Sequence, residues 1–565
     1  MRRQLLALIL AAILALLALP VGAGLATSKH NLSVSGPGSV KASSEAQICI
    51  FCHAPHNASP IAPLWNRSNP GTTYTPYSSS TSVARPGQPT GASLYCLSCH
   101  DGTIALGDVL SRTTRIGMAG GVTNMPAGNG NLGTDLSDDH PISFAYNSLL
   151  AGAHNGGLAN PATLTGKVRL DGSGQLQCTT CHDPHDDSNG KFLVMSNQAS
   201  ALCQVCHLKN YWSSSDHRLS GKSWNGAGSN PWPHTSGATV AANACENCHR
   251  SHSAGGKQGL LNSAAEENNC YPCHNGNVAA KNIQAEFTGK ASIHPLASTT
   301  GVHDAAEPAL IQSRHVECVD CHNPHAAKAS GGPLPGSLAG VLGISSNGTE
   351  VKPATDEYQI CFRCHTDSPN QPAPRTTRQI AQGNTRLEFA TTNPSFHPVL
   401  GPGRNTNVPS LIAPWTSAST MTCGDCHNNN TGPGAGGTGP KGPHGSNYPT
   451  LLERQYLKAD RTPESAANYA LCYKCHNRTS ILGDRSFKEH SKHITGERTP
   501  CNACHDPHGI SSTQGNAANN SKLINFDTTI SKPSSSGQLK FVSNGTNKGS
   551  CYLTCHGKNH NPLSY

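Results

Sequence analysis

Hydrophobic residues follow no sustained repeat along most of this chain. One uninterrupted apolar run extends from residue 5 to residue 20. Beyond it, no long stretch has apolar residues at every 2 or every 3.6 positions, the periods of a half-buried strand and an amphipathic helix. Polar stretches at 74–88, 428–443 and 528–548 are typical of surface loops. The pattern therefore predicts a mostly irregular fold.

Short α-helices are predicted at four places, each leading into a cysteine. The signals are a Ser, Thr or Asp at the N-cap, an acidic residue in the first turn, or proline at the first helical position. They occur at Thr355–Glu357 before Cys361, Thr462–Glu464 before Cys472, Ser196 before Cys203, and Ser263 with Glu266 before Cys270.

All 24 cysteines fall into twelve pairs, and a histidine directly follows each pair. Eleven pairs have the spacing C-x-x-C-H, and the last has C-x-x-x-C-H. We number these motifs 1 to 12 in chain order. They are Cys49/Cys52/His53, Cys96/Cys99/His100, Cys178/Cys181/His182, Cys203/Cys206/His207, Cys245/Cys248/His249, Cys270/Cys273/His274, Cys318/Cys321/His322, Cys361/Cys364/His365, Cys423/Cys426/His427, Cys472/Cys475/His476, Cys501/Cys504/His505 and Cys551/Cys555/His556.

This spacing is the attachment signature of c-type haem. Residues i and i+3 share one face of a helical turn, so both thiols can form thioethers on one porphyrin edge, and the following histidine reaches the iron. Motif 12 has its thiols at i and i+4, which would also share a helical face. The sequence predicts twelve haem c groups, with the 24 cysteines as attachment sites and the twelve motif histidines as proximal ligands.

Three other kinds of cysteine pair fit this pattern less well. Disulfides need no histidine beside each pair. Structural zinc sites combine two C-x-x-C pairs or add distant histidines. A redox-active C-x-x-C pair belongs in a βαβ context, which is absent. Since only 30 of 565 residues are histidine, its presence after all twelve pairs cannot be chance.

The composition agrees with a fold built around cofactors. Charged residues make up 13% and aromatic residues 5% of the chain, which contains 57 glycines and 39 prolines. Ordinary domains have about 25% charged residues. We expect an elongated multihaem cytochrome c, in which a haem spine replaces a conventional core and the chain without haem is largely unfolded.

Residues 1–26 have the layout of a secretory signal peptide. Basic Arg2 and Arg3 precede the apolar run, and small residues surround Ala23 and Ala26. An uncleaved membrane anchor is the alternative, but the run is short for a span. No cysteine near the cleavage site could carry a lipid. We expect a periplasmic, secreted or cell-surface protein, because haem c is attached outside the bacterial cytoplasm.

The motifs alternate between two types. In motifs 1, 3, 5, 7 and 11 a second histidine lies three residues after the first. Motif 9 has Asn430 at that position, and His444 is its candidate substitute. The repeat predicts six two-haem units. Their bounds are 27–172, 173–238, 239–310, 311–415, 416–497 and 498–565.

This arrangement resembles the doubled-CxxCH multihaem cytochrome c family of metal- and sulfur-respiring bacteria. The resemblance rests on C-x-x-C-H-x-P-H alternating with plain C-x-x-C-H, and on phrases such as Cys99–Gly102 and Asp139–Phe144. It covers essentially all of the mature chain. It implies periplasmic or surface electron transfer in anaerobic respiration, without a particular partner. Motifs 9 and 12 depart from the family pattern.

The second iron ligands should also be mostly histidines. Eighteen histidines remain beside the twelve motif histidines, whereas the chain has only five methionines. Bis-histidine ligation generally gives lower potentials than His/Met ligation. A histidine three residues after the proximal one can reach only a neighbouring haem. The distal candidates are His56, His185, His252, His325 and His508, then His140, His294, His397, His315, His444 and His493, and then His30, His217 and His234; His154, His303, His490 and His560 are better interpreted as exposed or structural.

We therefore expect an electron carrier without catalytic residues, whose partners are other redox proteins, cytochromes or metal oxides. The formal charge of +8 comes with no Lys/Arg-rich run, so we expect no nucleic-acid partner. We expect no transmembrane span after signal cleavage, and leave peripheral outer-membrane association and self-assembly open. Two alternatives stay open, a multihaem reductase with one open haem and a cytochrome filament subunit.

Overall fold

The structure is a computed structural model. It describes residues 24–565 apart from 57, 60–63, 81, 154–156, 297–303, 305–306, 312–314, 329–331, 333 and 370. Nearly all of the predicted signal peptide, and the weaker candidates His154 and His303, lie outside the described residues.

The chain divides into two compact units. Unit 1 ends at Ser223 and resumes over Asn230–Asn269, and unit 2 comprises Trp224–Ser229 and Cys270–Tyr565. Motifs 1–5 lie in unit 1 and motifs 6–12 in unit 2.

The regular elements are short and separated by irregular segments, which confirms the predicted fold class. All of motifs 1–11 contain an α-helical or 3₁₀ turn. The 3₁₀ turns at motifs 1, 5, 9 and 11 are Cys49–Phe51, Ala244–Asn247, Cys423–Asp425 and Cys501–Ala503. The α-helices described are α1 Gly91–His100, α2 Ser148–Ala153, α3 Cys178–Cys181, α4 Ala201–Cys206, α5 Asp216–Leu219, α6 Val240–Asn243, α7 Glu267–His274, α8 Gln284–Thr288, α9 Cys318–Cys321, α10 Glu357–His365, α11 Thr385–Glu388, α12 Ala470–Tyr473 and α13 Arg478–Leu482.

The strands form four two-stranded ribbons and one three-stranded sheet within the described residues, all antiparallel. The ribbons pair β1 with β2, β3 with β7, β4 with β5 and β6 with β8, and the sheet has the order β11-β10-β9. The strands are β1 Phe144–Ala145, β2 Gln175–Leu176, β3 Ser292–Ile293, β4 Gly343–Ile344, β5 Glu350–Val351, β6 Ser395–Phe396, β7 Gly445–Ser446, β8 Gly509–Ile510, β9 Lys540–Ser543, β10 Gly549–Cys555 and β11 Lys558–Ser564.

Only one of the four predicted helix starts is correct. Asp356 caps α10 and forms a capping box with Gln359. The other three helices begin later than their signals, at Ala201, Glu267 and Ala470. Helices this short nucleate poorly on local propensity alone, so packing around the cysteine pair decides where they begin.

Motif 12 lies on a strand, and the prediction of a helical face for it is wrong. Cys551 and Cys555 are in β10, which turns into β11 through His556 and Gly557, both with positive φ. Two-residue turns of this kind match the twist of antiparallel strands. β9 lies within residues 528–548, the stretch predicted to be a loop. This four-residue strand is recognised only by its pairing with β10 and the burial of Phe541, and neither is visible in the local sequence.

Buried apolar residues form several small clusters instead of one core. One cluster surrounds Phe51 in unit 1, and another joins Phe526, Phe541 and Leu553 in unit 2. Partly buried cysteines of motifs 1 and 4 pack against clusters in unit 1, and those of motifs 7, 11 and 12 against clusters in unit 2. The attachment positions of these motifs therefore face the interior.

None of the helices in the described part of the chain has the length and apolar character to cross a membrane.

Candidate functional site

A tight backbone turn holds the motif histidines. In motifs 1, 3, 4, 5, 7, 9, 10 and 11 the N–H of the histidine donates to the carbonyl of the first cysteine, at 2.8–3.0 Å. This is the bond of one α-helical turn, from residue i to residue i−4. It brings two thiols and one imidazole to the same short segment, an arrangement that suits attachment of a single ring edge.

The second cysteine of motifs 1, 5, 9 and 11 lies just beyond its 3₁₀ turn, which corrects the prediction that both thiols stand on one helix. In motif 5 the turn ends at Asn247, and Cys248 follows it with φ −124° and ψ −26°. The N–H of Cys248 still donates to the carbonyl of Cys245 at 3.2 Å. Residues i and i+3 eclipse each other in a 3₁₀ turn, so the two thiols keep to one side of the segment. The three corresponding residues are Cys52, Cys426 and Cys504.

Seven motif histidines face a second histidine ring at a narrow range of distances. Metal–imidazole bonds are about 2.0 Å, so two imidazoles on opposite sides of one metal have ring centroids about 6 Å apart. The observed centroids are 6.0–6.5 Å apart. The pairs are His53–His185, His100–His30, His182–His252, His207–His140, His322–His444, His427–His508 and His505–His490.

Four second histidines of the odd-numbered motifs follow one pattern. His185 of motif 3 faces motif 1, and His252 of motif 5 faces motif 3. In unit 2, His508 of motif 11 faces motif 9, and His444, the substitute in motif 9, faces motif 7. Each segment thus presents its second imidazole to the histidine two motifs earlier, which interlocks successive doublets.

The imidazoles are oriented by bonds from Nδ1. In eleven of them Nδ1–H donates to a backbone carbonyl, which leaves Nε2 as the nitrogen with a lone pair for a metal. The acceptors for His182 and His505, for example, are the carbonyls of Lys191 at 2.9 Å and Lys522 at 3.1 Å. The eleven are His30, His100, His140, His182, His249, His294, His322, His397, His427, His493 and His505.

The imidazoles of His252 and His508 form a hydrogen bond to a carboxylate through Nδ1 instead. His252 contacts Asp139 at 3.0 Å and His508 contacts Glu388 at 2.8 Å. Burial lowers the pKa of His508, but the hydrogen bond and charge of Glu388 outweigh burial, so the pKa is raised. A carboxylate here fixes the tautomer and makes Nε2 a stronger ligand.

Burial keeps most of the other rings neutral, which is the form that binds a metal. It lowers the pKa of His365, His427 and His476 to about 4 and that of His444 and His490 to about 3. The largest electrostatic contributions at His365 and His476 come from His294 and His397, respectively. These two motif histidines therefore also have a candidate histidine nearby.

The remaining candidates are placed differently. The Nε2 atom of His234 bonds the carbonyl of Glu246 at 2.9 Å, and that of His315 lies 3.1 Å from a carboxylate oxygen of Glu307. His56 is exposed, and His217 lies in the short helix α5. His325 is half-buried and lies four residues after the end of α9, where its backbone N–H donates to Asn323 Oδ1.

Cysteine thiols of successive motifs lie beside one another in two alternating ways. Between doublets, first cysteines hydrogen-bond in the pairs Cys96–Cys178, Cys203–Cys245, Cys361–Cys423 and Cys472–Cys501. Within doublets, burial is the main cause that raises the pKa of the second cysteine of the odd-numbered motif. A nearby cysteine of the following motif raises that pKa further. The pairs are Cys52 with Cys99, Cys181 with Cys206, Cys321 with Cys364, Cys426 with Cys475 and Cys504 with Cys555. Attachment positions therefore form an unbroken series from motif 1 to 5 in unit 1 and from motif 7 to 12 in unit 2.

Motif 5 is the last motif of unit 1. Cys248 has the position in the motif that Cys52 and Cys181 have in theirs, but the motif that follows it, with Cys273, belongs to unit 2. The doublet of motifs 5 and 6 is therefore divided between the two units, whereas each of the other five doublets lies within one unit.

Sequence reasoning missed the carbonyl acceptors of the odd-numbered motifs. The acceptor is the residue before a Phe or Leu that follows the motif: Lys191, Gly259, Ser337, Thr450 and Lys522. Most of these residues have positive φ. These acceptors lie 9, 10, 15, 23 and 17 positions after their histidines, so no fixed spacing in the sequence could have identified them. Asp139 and Glu388 have no such signal either.

A family model described as the doubled CXXCH motif matches three stretches of the chain, residues 172–210, 238–279 and 413–480. Each stretch contains one odd-numbered and one even-numbered motif. No curated protein gives a significant match. Paired thiols and buried imidazoles with oriented Nε2 atoms are the donor set that haem c requires. The motifs imply covalently bound haem c, and they indicate a multihaem c-type cytochrome.

Proposed function

We propose that the protein is an exported dodecahaem c-type cytochrome that carries electrons along a chain of mostly bis-histidine haems. The observation that carries this proposal is the unbroken series of thiol neighbours within each unit, since these sulfurs are the attachment points of adjacent haems. A protein that only stored haem would need no such series.

Bound haem c supplies a one-electron ferric/ferrous couple. The residues of the chain determine the path. Thiol neighbours hold successive attachment points side by side, and the interlocked second histidines join each doublet to the one before. If the paired histidine rings held the two sides of each iron, no coordination position would remain for a substrate, which favours electron transfer over reductase chemistry.

We propose nine bis-histidine pairs. Seven are the ring pairs at 6.0–6.5 Å, and the other two are His365 with His294 and His476 with His397. For His249 and His274 the second ligands come from the remaining candidates. Because the doublets repeat through the chain, we keep the six two-haem units as the functional subdivision.

We further propose that the protein works in the periplasm or at the cell surface during anaerobic respiration, with partner cytochromes or metal oxides as acceptors. The apolar N-terminal run and the haem c motifs support export. Cell fractionation tests the location, and the mass of the mature N-terminus tests cleavage near Ala26.

The haem count tests the proposal directly. A pyridine haemochrome assay with intact mass spectrometry should give twelve haems per chain. The oxidised protein should give low-spin EPR signals. A count well below twelve would contradict the proposal, and a substantial high-spin ferric signal would favour a reductase.

A matched pair of variants tests the ligand rule. His252 faces the ring of His182, whereas His56 has the same place in motif 1 but is exposed. We expect His252→Ala to convert one haem to high spin and His56→Ala to convert none. Equal spectra for the two variants would contradict the rule.

A further inference from the structure

Motif 12 has a backbone unlike the other motifs. In the helical motifs the histidine N–H donates back to the first cysteine, but Cys551 pairs across strands with Phe541 and Leu563. His556 lies at the hairpin turn with φ 50°, beyond the end of β10. The local turn that presents an imidazole in the other motifs is therefore absent at His556.

Both nitrogens of His556 face carboxylates. Nε2 lies 2.8 Å from Asp460 Oδ1, and Nδ1 lies 3.8 Å from Glu497 Oε2. A carboxylate accepts a proton-bearing N–H, so the Nε2 that bonds Asp460 has no lone pair to offer a metal. In His100, His182, His427 and His505, by contrast, Nδ1 donates to a carbonyl, so Nε2 is the nitrogen that keeps its lone pair.

His560 lies on a different part of the hairpin, within β11. It is the only buried residue of β11, and it lies directly across from Leu553. Opposite residues of paired strands share a face, and alternate residues of one strand do so as well, so His560 lies on the face of β10 that carries Leu553 and Cys555. This face packs against the cluster containing Phe526 and Phe541.

A second imidazole faces His560. The ring centroids of His493 and His560 are 6.3 Å apart, within the range of the seven motif pairs. Nδ1 of His493 donates to the carbonyl of Glu489 at 2.7 Å, the orientation seen at the other imidazoles. His490, three residues earlier, faces motif 11.

We propose that His560 replaces His556 as the axial ligand of the haem attached at Cys551 and Cys555, with His493 on its other side. Asp460 and Glu497 then hold His556 in place at the hairpin turn, where it has a structural role. His490 and His493 serve motifs 11 and 12 from one segment, which couples the last two haems. This inference rests on the proposed function, because it assumes that motif 12 carries haem.

The decisive experiment compares His560→Ala with His556→Ala in the full-length holoprotein. Haem count comes from intact mass and spin state from EPR. We expect His560→Ala to convert about one-twelfth of the low-spin ferric signal to high spin. We expect His556→Ala to leave the spin state of every attached haem unchanged, even if attachment at motif 12 falls. Wild-type spectra for His560→Ala, or a high-spin haem only in His556→Ala, would overturn the inference.

A second variant covers failure of His560→Ala to accumulate. His560→Met keeps a ligand but changes its chemistry, and should raise one potential and add the near-infrared absorption of a methionine-ligated haem. An unchanged spectrum with all haems attached would overturn the inference. The wild-type count separates the two hypotheses. If the wild-type protein has twelve low-spin haems and His560→Ala leaves them unchanged, only the exchange of ligands at motif 12 is refuted. If it has eleven haems and none at motif 12, both the exchange and the count of twelve are refuted. A far lower count refutes the proposed function.

Discussion

Motifs 11 and 12 are adjacent in the chain and share one cluster of buried residues, yet they present their histidines in different ways. In motif 11 a 3₁₀ turn places His505 opposite His490, and its Nδ1 donates to a carbonyl. In motif 12 a strand ends before His556, whose Nε2 is bonded to Asp460. If the proposal for motif 12 is right, covalent attachment and iron ligation are separable. The spacing of the cysteines would determine attachment, whereas the backbone conformation would determine which histidine ligates the iron.

The largest expected effect, on haem content and on the rate of electron exchange, comes from removing the cysteine pair of motif 11 or that of motif 12. Cys501 contacts Cys472 of motif 10, and Cys504 lies near Cys551 and Cys555 of motif 12. We expect replacement of Cys501 and Cys504 by Ala to remove one haem and to slow electron exchange between motif 12 and motifs 7–10 by orders of magnitude. The control replaces Cys551 and Cys555 by Ala, which should remove one haem and leave exchange among the others intact. Rapid-mixing reduction followed by haem absorbance measures both, and equal slowing in the two would contradict the linear path.

The next largest effect separates the two histidines of one segment. We expect His490→Ala to give one high-spin haem at motif 11, because the ring faces only His505 among motif histidines of the described residues. His493→Ala should give one at motif 12. EPR detects the high-spin haem in each variant, and a redox titration followed by EPR gives the reduction potential that distinguishes the two sites. Spectra that remain low-spin in His490→Ala would show that this pair does not bridge an iron.

A smaller effect is expected from the carboxylates beside the rings. Glu388 bonds Nδ1 of His508, whereas Asp460 bonds Nε2 of His556. Glu388→Gln removes a negative charge that would stabilise ferric over ferrous iron. If the equilibrium between the two oxidation states shifts tenfold towards the ferrous form, the one-electron reduction potential rises by about 59 mV. We expect a shift of that order for one haem in Glu388→Gln and none in Asp460→Asn. Spectroelectrochemical titration measures both, and a comparable shift in Asp460→Asn would indicate that His556 ligates iron.

The smallest effect concerns the ion pair near motif 10 between the exposed Arg478 and the nearly buried side chain of Glu464. Glu464 accepts hydrogen bonds from Tyr473 and Arg478, and the bond to Arg478 lowers its carboxyl pKa. A carboxyl whose folded pKa is lowered stabilises the fold above its unfolded pKa, and this contribution is lost as pH falls through the folded value. We expect Glu464→Gln to cost about 1 kcal/mol at neutral pH and almost nothing in strong acid. Thermal unfolding of the variant against wild type across pH 2–7 checks the sign; a constant difference would contradict it.

The cysteine–histidine spacing could be interpreted from the sequence alone because thioether attachment uses residues within one turn of the chain. Composition likewise predicted a mostly irregular fold with short helices, since too few apolar residues are available for one core. The alternation of motif types predicted the doublets, and the thiol neighbours within and between them follow the same alternation. The type of turn was not predictable from spacing, because a 3₁₀ turn that ends before Cys248 and a helix that includes Cys181 have the same C-x-x-C-H pattern.

Only the tertiary structure decided which histidines face each other. His185 and His53 are 132 positions apart in the chain, and the ring of His444 meets His322 although no second histidine follows His427 directly. His490 and His560 had no local pattern to distinguish them from exposed histidines, because the feature that selects them is the position of a distant ring. The strand at motif 12 was hidden for the same reason: its pairing with β9 and β11 is a contact between segments, and spacing within the motif carries no information about it.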